Sequence, residues 1–554
     1  MAQGGRLVSS GELEARPRAG ERHAPGSLTA TLERHLVWVL VVFVVVGFGL
    51  RVHGLSEVGL AEDEARKVEA VRAYRAGDIA ANAEHPMLMK TLIYVSTLAA
   101  ETLRARFGVE ISDEAAVRFP NVLFGSLTAV PLFLLAAALF DRRIGLIAAA
   151  LWSTGVNAIT YNRIAKEDTL LVFFMLLAFY FYLRAKQASS REAKRKRRCY
   201  VLSGAAFGLM LASKYFPHYF GLNMLYHHLV RVRDRAPGEP RGHTPGVFYL
   251  IMAAVFLLAN PSVLLPQTWH YLTSYTSEQL LTHHGYLMGD RLYPNQMSST
   301  PFGTPPYFYL LFLATKTPLL LLAALVVGLA VIARRWRAPG PAFLLMMFLL
   351  WIVPYSLVGA KWLRYTLSLM PFVYMIAAVG IAWLAAAVKR FFAQQGLKRA
   401  APVVAASLAI TFVAVPARAA FANGPHFGLY TNRLAKDRAG YYFPHDEFYD
   451  DGLREALLFV CENAPPGATV AHETPSATRY YLARCGRSDL QPRPLSDPAF
   501  GPDSAPRPTF YVLQRGRTYF ENQAEMEQVR ASARKVFEVV IKGKTAAEVY
   551  VHLD

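Results

Sequence analysis

The sequence predicts an α-helical polytopic membrane protein with about eleven transmembrane helices and a small C-terminal α/β domain outside the membrane. Three observations carry that reading. The 554 residues are 53% hydrophobic and only 18% charged, against about 45–50% and about 25% in ordinary soluble domains. The apolar residues gather in runs of about 15–25, the length that crosses a bilayer core of about 30 Å. Past about residue 420 those runs give way to short apolar stretches separated by turn residues. A soluble enzyme and a disordered chain are excluded by this pattern. A disulfide scaffold is excluded by the count of three cysteines. The net charge of +19 lies largely between the apolar runs, so it reads as cytoplasmic loop charge and not as a nucleic-acid surface.

Residues 1–34 are rich in Gly, Arg, Glu and Pro without apolar periodicity and read as a flexible cytoplasmic tail. The run 35–50 follows a long leader with no small-x-small site close behind it, which reads as an uncleaved anchor. Further runs cover about 119–140, 144–160, 169–184, 200–213, 216–230, 246–260, 307–333, 342–358, 366–388 and 402–417. Basic segments at Arg142-Arg143, 184–198, 231–241, 334–337 and 389–399 fall on alternate loops. The positive-inside rule then places the N-terminus in the cytoplasm and the C-terminus outside. That parity holds only if 86–103 does not cross, so this segment is expected to lie along the outer surface; a true span is the alternative.

In the tail 420–554, residues 448–463, 475–483 and 518–532 read as helices. Residues 468–471, 509–514, 536–541 and 547–553 read as strands. The alternation predicts a small α/β domain. In an oxidising compartment Cys461 and Cys485 can form a disulfide; two free thiols are the alternative. Cys199 borders the cytoplasmic side. The resulting division is a tail at 1–34, a membrane domain at 35–419 and an outer domain at 420–554.

Outer loops should be poor in Lys and Arg, so the ionisable groups found there need a reason. Glu62-Asp63-Glu64 follows the first run; adjacent acids can raise one another's pKa and supply a general base. Glu84-His85-Pro86 opens the surface helix, with Lys90 one turn on and able to reach lipid phosphate. Arg163, Lys166, Glu167 and Asp168 crowd one turn, and four charges there must face water, one another or an anion. Lys214-Tyr215 and Lys361-Trp362-Leu363-Arg364-Tyr365 sit in later outer turns. The loop 261–306 holds Glu278, His283, His284, Asp290 and Arg291 and leads to Lys316. Its histidines match no standard zinc spacing, although a divalent metal becomes possible if His283, His284 and Glu84 converge. Singly, each group also reads as an ordinary solvated loop. Together they form a charged rim at the outer mouths of several helices. A polyprenyl-phosphate sugar suits such a rim, with a phosphate for the bases and a tail that stays in lipid.

The ordered series of motifs resembles the GT-C glycosyltransferases of the protein O-mannosyltransferase type (glycosyltransferase family 39) and their bacterial relatives, including the aminoarabinose transferase of lipid A. Asp63-Glu64 is similar to the family's first-loop Asp-Glu pair, and 64–78 to the helix after it. Glu84-His85-Pro86, 117–130, 162–168 (NRIAKED), 208–216 (GLMLASKYF) and 363–372 (LRYTLSLMPF) resemble later family elements in the family's order. The likeness spans about 36–390. It implies a GT-C fold and an inverting transfer from a polyprenyl-phosphate sugar to a protein or an envelope lipid or glycan, at the outer face of a cell membrane.

For individual residues, the resemblance implies Asp63 as catalytic base with Glu64 beside it. Arg163, Lys214, Lys316 and Arg364 are expected around the donor phosphate. Glu84, His85, Asp168, His283, His284 and Tyr365 are expected near substrate. No cofactor is implied. His85 stands where the aminoarabinose form has Lys, and Met87 where the mannosyltransferase form has a second Pro, so neither subfamily is matched. A transporter or lipid flippase is the alternative; it should carry its polar groups near the membrane midplane within internal repeats.

Overall fold

The computed structural model describes residues 27–230, 243–276, 285–295, 303–497 and 508–552. Among the described residues seventeen α-helices precede the C-terminal sheet region: α1 (Ser27–Val52), α2 (Glu62–Arg75), α3 (Met87–Phe107), α4 (Asp113–Leu127), α5 (Ala129–Leu139), α6 (Arg142–Thr154), α7 (Val156–Asn162), α8 (Asp168–Gln187), α9 (Ala193–Ser213), α10 (His218–Leu229), α11 (Gly246–Ala259), α12 (Pro266–Thr276), α13 (Phe308–Lys316), α14 (Leu319–Arg334), α15 (Pro339–Leu357), α16 (Met370–Gln394) and α17 (Ala400–Asn423). A two-stranded ribbon, β1 (Tyr286–Met288) with β2 (Arg291–Tyr293), lies between α12 and α13.

Among the described residues six helices are long and apolar enough to cross a membrane, or seven when α6 and α7 count as one bent span. The apolar runs had suggested about eleven. The difference has local causes. The run at 307–333 breaks at Thr317-Pro318 into α13 and α14, as expected where proline disfavours helix in the residue before it. α10 and α11 have 12 and 14 residues. α9 spends its first turns on Lys194 to Arg198. α3, the segment expected at the surface, is not among the six.

Two packing details explain how unfavourable residues are accommodated. Pro120 lies inside α4 and cannot donate to the carbonyl of Ala116; Ser96 Oγ fills that acceptor at 2.7 Å. Gly328 on α14 and Gly380 on α16 face each other's backbone. A Cβ on Gly328 would lie 2.0 Å from the Ile376 carbonyl oxygen, and one on Gly380 2.1 Å from that of Ala324. Reciprocal glycines let two apolar helices approach this closely.

After α17 the chain builds α18 (Pro444–Phe448), α19 (Leu453–Asn463), β3 (Thr469–Ala471), α20 (Pro475–Arg484), β4 (Gln491–Arg493), β5 (Thr509–Leu513), α21 (Gln523–Ser532), β6 (Arg534–Ile541) and β7 (Lys544–His552). The sheet runs β4-β3-β5-β7-β6. β3 is parallel to both neighbours, with Val470 opposite Phe510. β7 is antiparallel to β5 and β6, with Tyr550 opposite Tyr511. α19, α20 and α21 fall within or beside the expected helices, the first starting at Leu453 and not at 448, and β3, β5, β6 and β7 match the expected strands; the short helix α18 was not expected. β4 had no sequence signal: it is a three-residue, proline-containing edge strand. Cys461 and Cys485 are joined as a disulfide between α19 and the end of α20, Cα–Cα 6.4 Å.

The hydrophobic core does not stop at residue 419. One continuous cluster runs from Trp152 and Phe372 among the membrane helices to Leu453, Val460, Phe510 and Val549. Polar contacts follow the same seam. Tyr481 Oη accepts from Leu60 N at 2.5 Å, Tyr480 Oη donates to Asp113 at 2.8 Å and Arg454 donates to the Ser56 carbonyl at 2.7 Å.

Candidate active site

The site is organised by the start of α2. Ala61 caps this helix, and its amide donates to Glu64 Oε2 at 3.0 Å. The same carboxylate takes Arg118 Nε on Oε1 at 2.8 Å and Arg118 Nη2 on Oε2 at 2.6 Å, and Ala165 N on Oε1 at 2.8 Å. Arg118 in turn donates to the carbonyls of Leu55, Val58 and Gly59. Glu64 is fully buried and both of its oxygens carry two donors. It fixes α2 to α4 and to the 163–167 turn, and no lone pair is left to face a substrate.

Asp63, one residue earlier and about 100° round the helix, points elsewhere. Its Oδ2 accepts from Lys166 Nζ at 2.8 Å, Tyr449 Oη at 3.0 Å and Arg364 Nη1 at 3.1 Å. Among the described residues no donor reaches Oδ1, and the side chain keeps 27% of its surface exposed. Burial alone would raise this carboxyl. The cations, Lys166 foremost and then Arg364 and Lys67, outweigh burial and hold it well below the usual carboxylate range. The repulsion expected within the acidic triplet is therefore overridden at Asp63. One turn on, Lys67 pairs with Glu167 at 2.9 Å, both 1% exposed. Burial brings Lys166 down to about 8 despite the opposing pull of Asp63. His85 stands beside this row; burial keeps its imidazole well below the ordinary value, more than Glu167 can restore, so it is neutral at pH 7.

A second group adjoins the first through Arg364. Lys214 Nζ donates to Asp168 Oδ1 at 2.7 Å and lies 5.0 Å from the centre of the Tyr365 ring and 4.5 Å from that of Phe216. The Arg364 guanidinium lies 5.3 Å from the Trp362 ring centre and 5.7 Å from that of Tyr365. Residues 63, 166–168, 214 and 364–365, scattered over about three hundred positions, thus form one polar patch backed by aromatic rings.

Two expected phosphate ligands are committed elsewhere. Arg163 donates to the carbonyls of Arg51 and Gly54, each at 2.9 Å, and of His53, and covers the Phe427 ring; it closes the end of α1. Lys316 pairs with Glu447 at 3.0 Å and donates to the Gly428 carbonyl at 2.8 Å, tying α13 to the C-terminal region. Lys90 turns inward to the carbonyls of Ala81, Asn82 and His85 and not to lipid. It shapes the loop that presents Glu84, whose Oε1 accepts from Asn82 and whose Oε2 is buried with no partner among the described residues. His283, His284 and Glu278 lie outside the described residues. Among those described, no three His, Cys, Asp or Glu side chains gather as metal ligands.

Residues 102–261 match the family model described as dolichyl-phosphate-mannose-protein mannosyltransferase. The apo structure of ArnT from Cupriavidus metallidurans aligns with TM-score 0.50 at 14% identity, over 95% of this chain and 98% of that one. This chain has the GT-C fold. ArnT from the same organism bound to undecaprenyl phosphate aligns at 0.49, 13% identity and 93% and 97% coverage. The apo oligosaccharyltransferase of Archaeoglobus fulgidus aligns at 0.48, 13% identity and 82% and 64% coverage. No curated protein sequence matches the chain.

Within this GT-C chain the matched segment contains Arg118, Arg163 to Asp168 and Lys214, while Asp63, Arg364 and Tyr449 lie outside it. Sequence reasoning did not single out Lys67 or Tyr449. Lys67 had a weak signal, sitting four residues after Asp63 and so on the same helical face. Tyr449 had none, because nothing in a sequence says that a residue nearly four hundred positions away completes a first-loop acid.

Proposed function

We propose that this protein is an integral-membrane inverting glycosyltransferase. It moves a sugar, of hexosyl or mannosyl type, from polyprenyl phosphate to a protein or an envelope lipid or glycan. One observation carries the reading: Asp63 has one oxygen anchored by three donors, the other with no donor among the described residues, and a cationic, aromatic-backed patch beside it. A carboxylate so held is ionised, oriented and open on one side, as a general base must be. The family description, which names a lipid-phosphate sugar as donor, supports the choice of substrate.

In the transfer the acceptor oxygen or nitrogen forms a bond to the anomeric carbon from the face opposite the phosphate. Its proton passes to Asp63 Oδ1, and the bond from the anomeric carbon to the phosphate oxygen breaks. Polyprenyl phosphate leaves with one more negative charge than it carried as a diester, and Arg364 and Lys214 meet that charge where it develops. Asp63 is a weak base while Lys166 and Arg364 hold it low. Phosphate drawing Arg364 away strengthens the base when donor is present. Glu64 acts at one remove, as the fixture of α2. Glu84, His85, Asp168 and Tyr365 line the approach. The reading needs no metal or cofactor.

The charged patch lies at helix ends and in turns, where a surface transferase needs it. A transporter would need it near the midplane. We place the enzyme in the cell (inner) membrane, N-terminus in the cytoplasm, with the sheet region and the site outside. The test is incubation in nanodiscs with a panel of polyprenyl-phosphate sugars. Release of polyprenyl phosphate by wild type and not by Asp63→Asn is expected. Release by both moves the base elsewhere, and release by neither turns the reading toward transport.

A further inference from the structure

We propose that Tyr449, delivered by the C-terminal region, is a positioning residue for Asp63, so that the sheet region is part of the transfer site; the inference rests on the reading of Asp63 as base. The phenol donates to Asp63 Oδ2 at 3.0 Å and lies 3.4 Å from Arg364 Nη1. The next residue grips the same turn of α2: Asp450 Oδ2 accepts from Glu62 N at 3.0 Å. Two consecutive residues of the C-terminal region therefore hold two consecutive residues of the first outer loop.

The backbone that does this is unusual. Tyr449 and Asp450 both have left-handed φ, +50° and +64°, a conformation that bulky residues adopt only when their surroundings impose it. Here they do. On one side Tyr286 Oη donates to Asp446, Glu447 binds Lys316, and the His445 ring lies 4.6 Å from that of Trp362. On the other, Arg517 donates to Asp450 Oδ1 at 2.6 Å and to Glu62 Oε2 at 2.9 Å. The segment is clamped at both ends, and the partly buried side chain between the clamps is the one that ends on Asp63. With Lys166 from the 163–167 turn and Arg364 from the turn before α16, Tyr449 makes a three-sided hold that leaves Oδ1 as the proton acceptor.

Dicyclohexylcarbodiimide, which modifies protonated carboxyls, tests this in the full chain in nanodiscs. Labelling of the Asp63 peptide is followed by mass spectrometry between pH 4 and 7, with Asp63→Asn as blank. Tyr449→Phe removes one donor from the carboxylate, raises its proton affinity and should speed labelling at pH 5 about tenfold. If that variant does not fold, 3-fluorotyrosine at position 449, a stronger donor of nearly the same shape, should slow labelling. A purely structural tyrosine would change yield or Tm and leave the labelling profile in place, and that result overturns the proposal. In the polyprenyl-phosphate sugar assay, Tyr449→Phe makes Asp63 a stronger base but lets its carboxylate turn away from the acceptor; the loss of position should outweigh the gain and lower kcat about tenfold, with donor KM little changed. An unaltered kcat beside an inactive Asp63→Asn overturns the role of Tyr449 alone. An active Asp63→Asn removes the base, and the role of Tyr449 with it.

Discussion

Asp63 and Glu64 are neighbours in sequence with the same chemistry, yet the regions around them differ in kind. Around Glu64 the structure is closed: four donors on two oxygens and an arginine whose remaining protons end on backbone carbonyls. Around Asp63 it is half open: three donors on one oxygen, none described on the other, and a quarter of the side chain in contact with solvent. A saturated buried carboxylate is a structural fixture, because any change leaves a charge unpaired. A carboxylate with one unsatisfied, accessible oxygen can exchange a proton. The same contrast divides the bases. Arg163 and Lys316 are closed in by backbone and carboxylate partners, whereas Lys214 and Arg364 share their charge with acids that adjoin the open side.

The largest expected effect lies at the open acid. Asp63→Asn should lower transfer about a thousandfold, within the range of lost general-base catalysis, while Tm moves little because the amide keeps an acceptor for Oδ2's donors. Glu64→Gln should do the reverse. It strips a buried arginine of its counter-charge, at about 3–5 kcal/mol, and should appear as lost folded protein and a fall in Tm, with whatever folds remaining active. The Glu64→Leu/Arg118→Leu pair sharpens the comparison. Apolar replacement of a buried ion pair is often harmless, but here it also orphans the amides of Ala61 and Ala165 and three loop carbonyls. The double variant should be no more stable than Glu64→Gln; wild-type stability would show that the closed region is ornament.

The bases extend the contrast at smaller scale. Lys214→Gln should raise donor KM about tenfold, roughly the worth of one charge-assisted hydrogen bond. Lys316→Met should leave donor KM unchanged and lower Tm. Equal shifts in KM for the two would return Lys316 to the donor site.

Legibility in the sequence follows the same division. Spans and strands show because burial imposes a period or a run on many residues at once, and all of the C-terminal elements but α18 and β4 fall near where the pattern put them. The breaks at Thr317-Pro318 and Gly155 are set by single residues and by packing partners, so a run of apolar residues hides them. Polar residues at outer turns marked Asp63, Glu64, Arg163, Lys214, Lys316 and Arg364 alike. What separates them is whether a partner from another segment fills their valences, and that depends on tertiary contacts no local pattern records. The C-terminal region was readable as an α/β unit but not as a contributor to the site, since Tyr449, Asp450 and Arg517 resemble ordinary surface residues until α2 is placed against them.

The smallest effect at neutral pH concerns Lys166, and its pH dependence sharpens the account of the open region. Burial lowers this lysine to about 8, and Asp63 only partly opposes the fall. Below that pH the ammonium is charged; above it the amine is neutral. Asp63 then loses its strongest cationic partner and the donor phosphate loses a nearby positive charge, so kcat/KM should decline as pH rises through about 8. The acid limb lies far below, because Asp63 itself is held low. Lys166→Arg keeps a charge at every accessible pH. It should change the rate at pH 7 by less than about threefold, since the ion pair with Asp63 persists, while the alkaline decline disappears. Lys361, brought to about 8 by burial, is the competing source of such a limb. It donates to the carbonyls of Thr304 and Val358 and makes no contact with Asp63. A decline that survives in Lys166→Arg would assign the limb to a group outside the open region and break the link between Lys166 and the base.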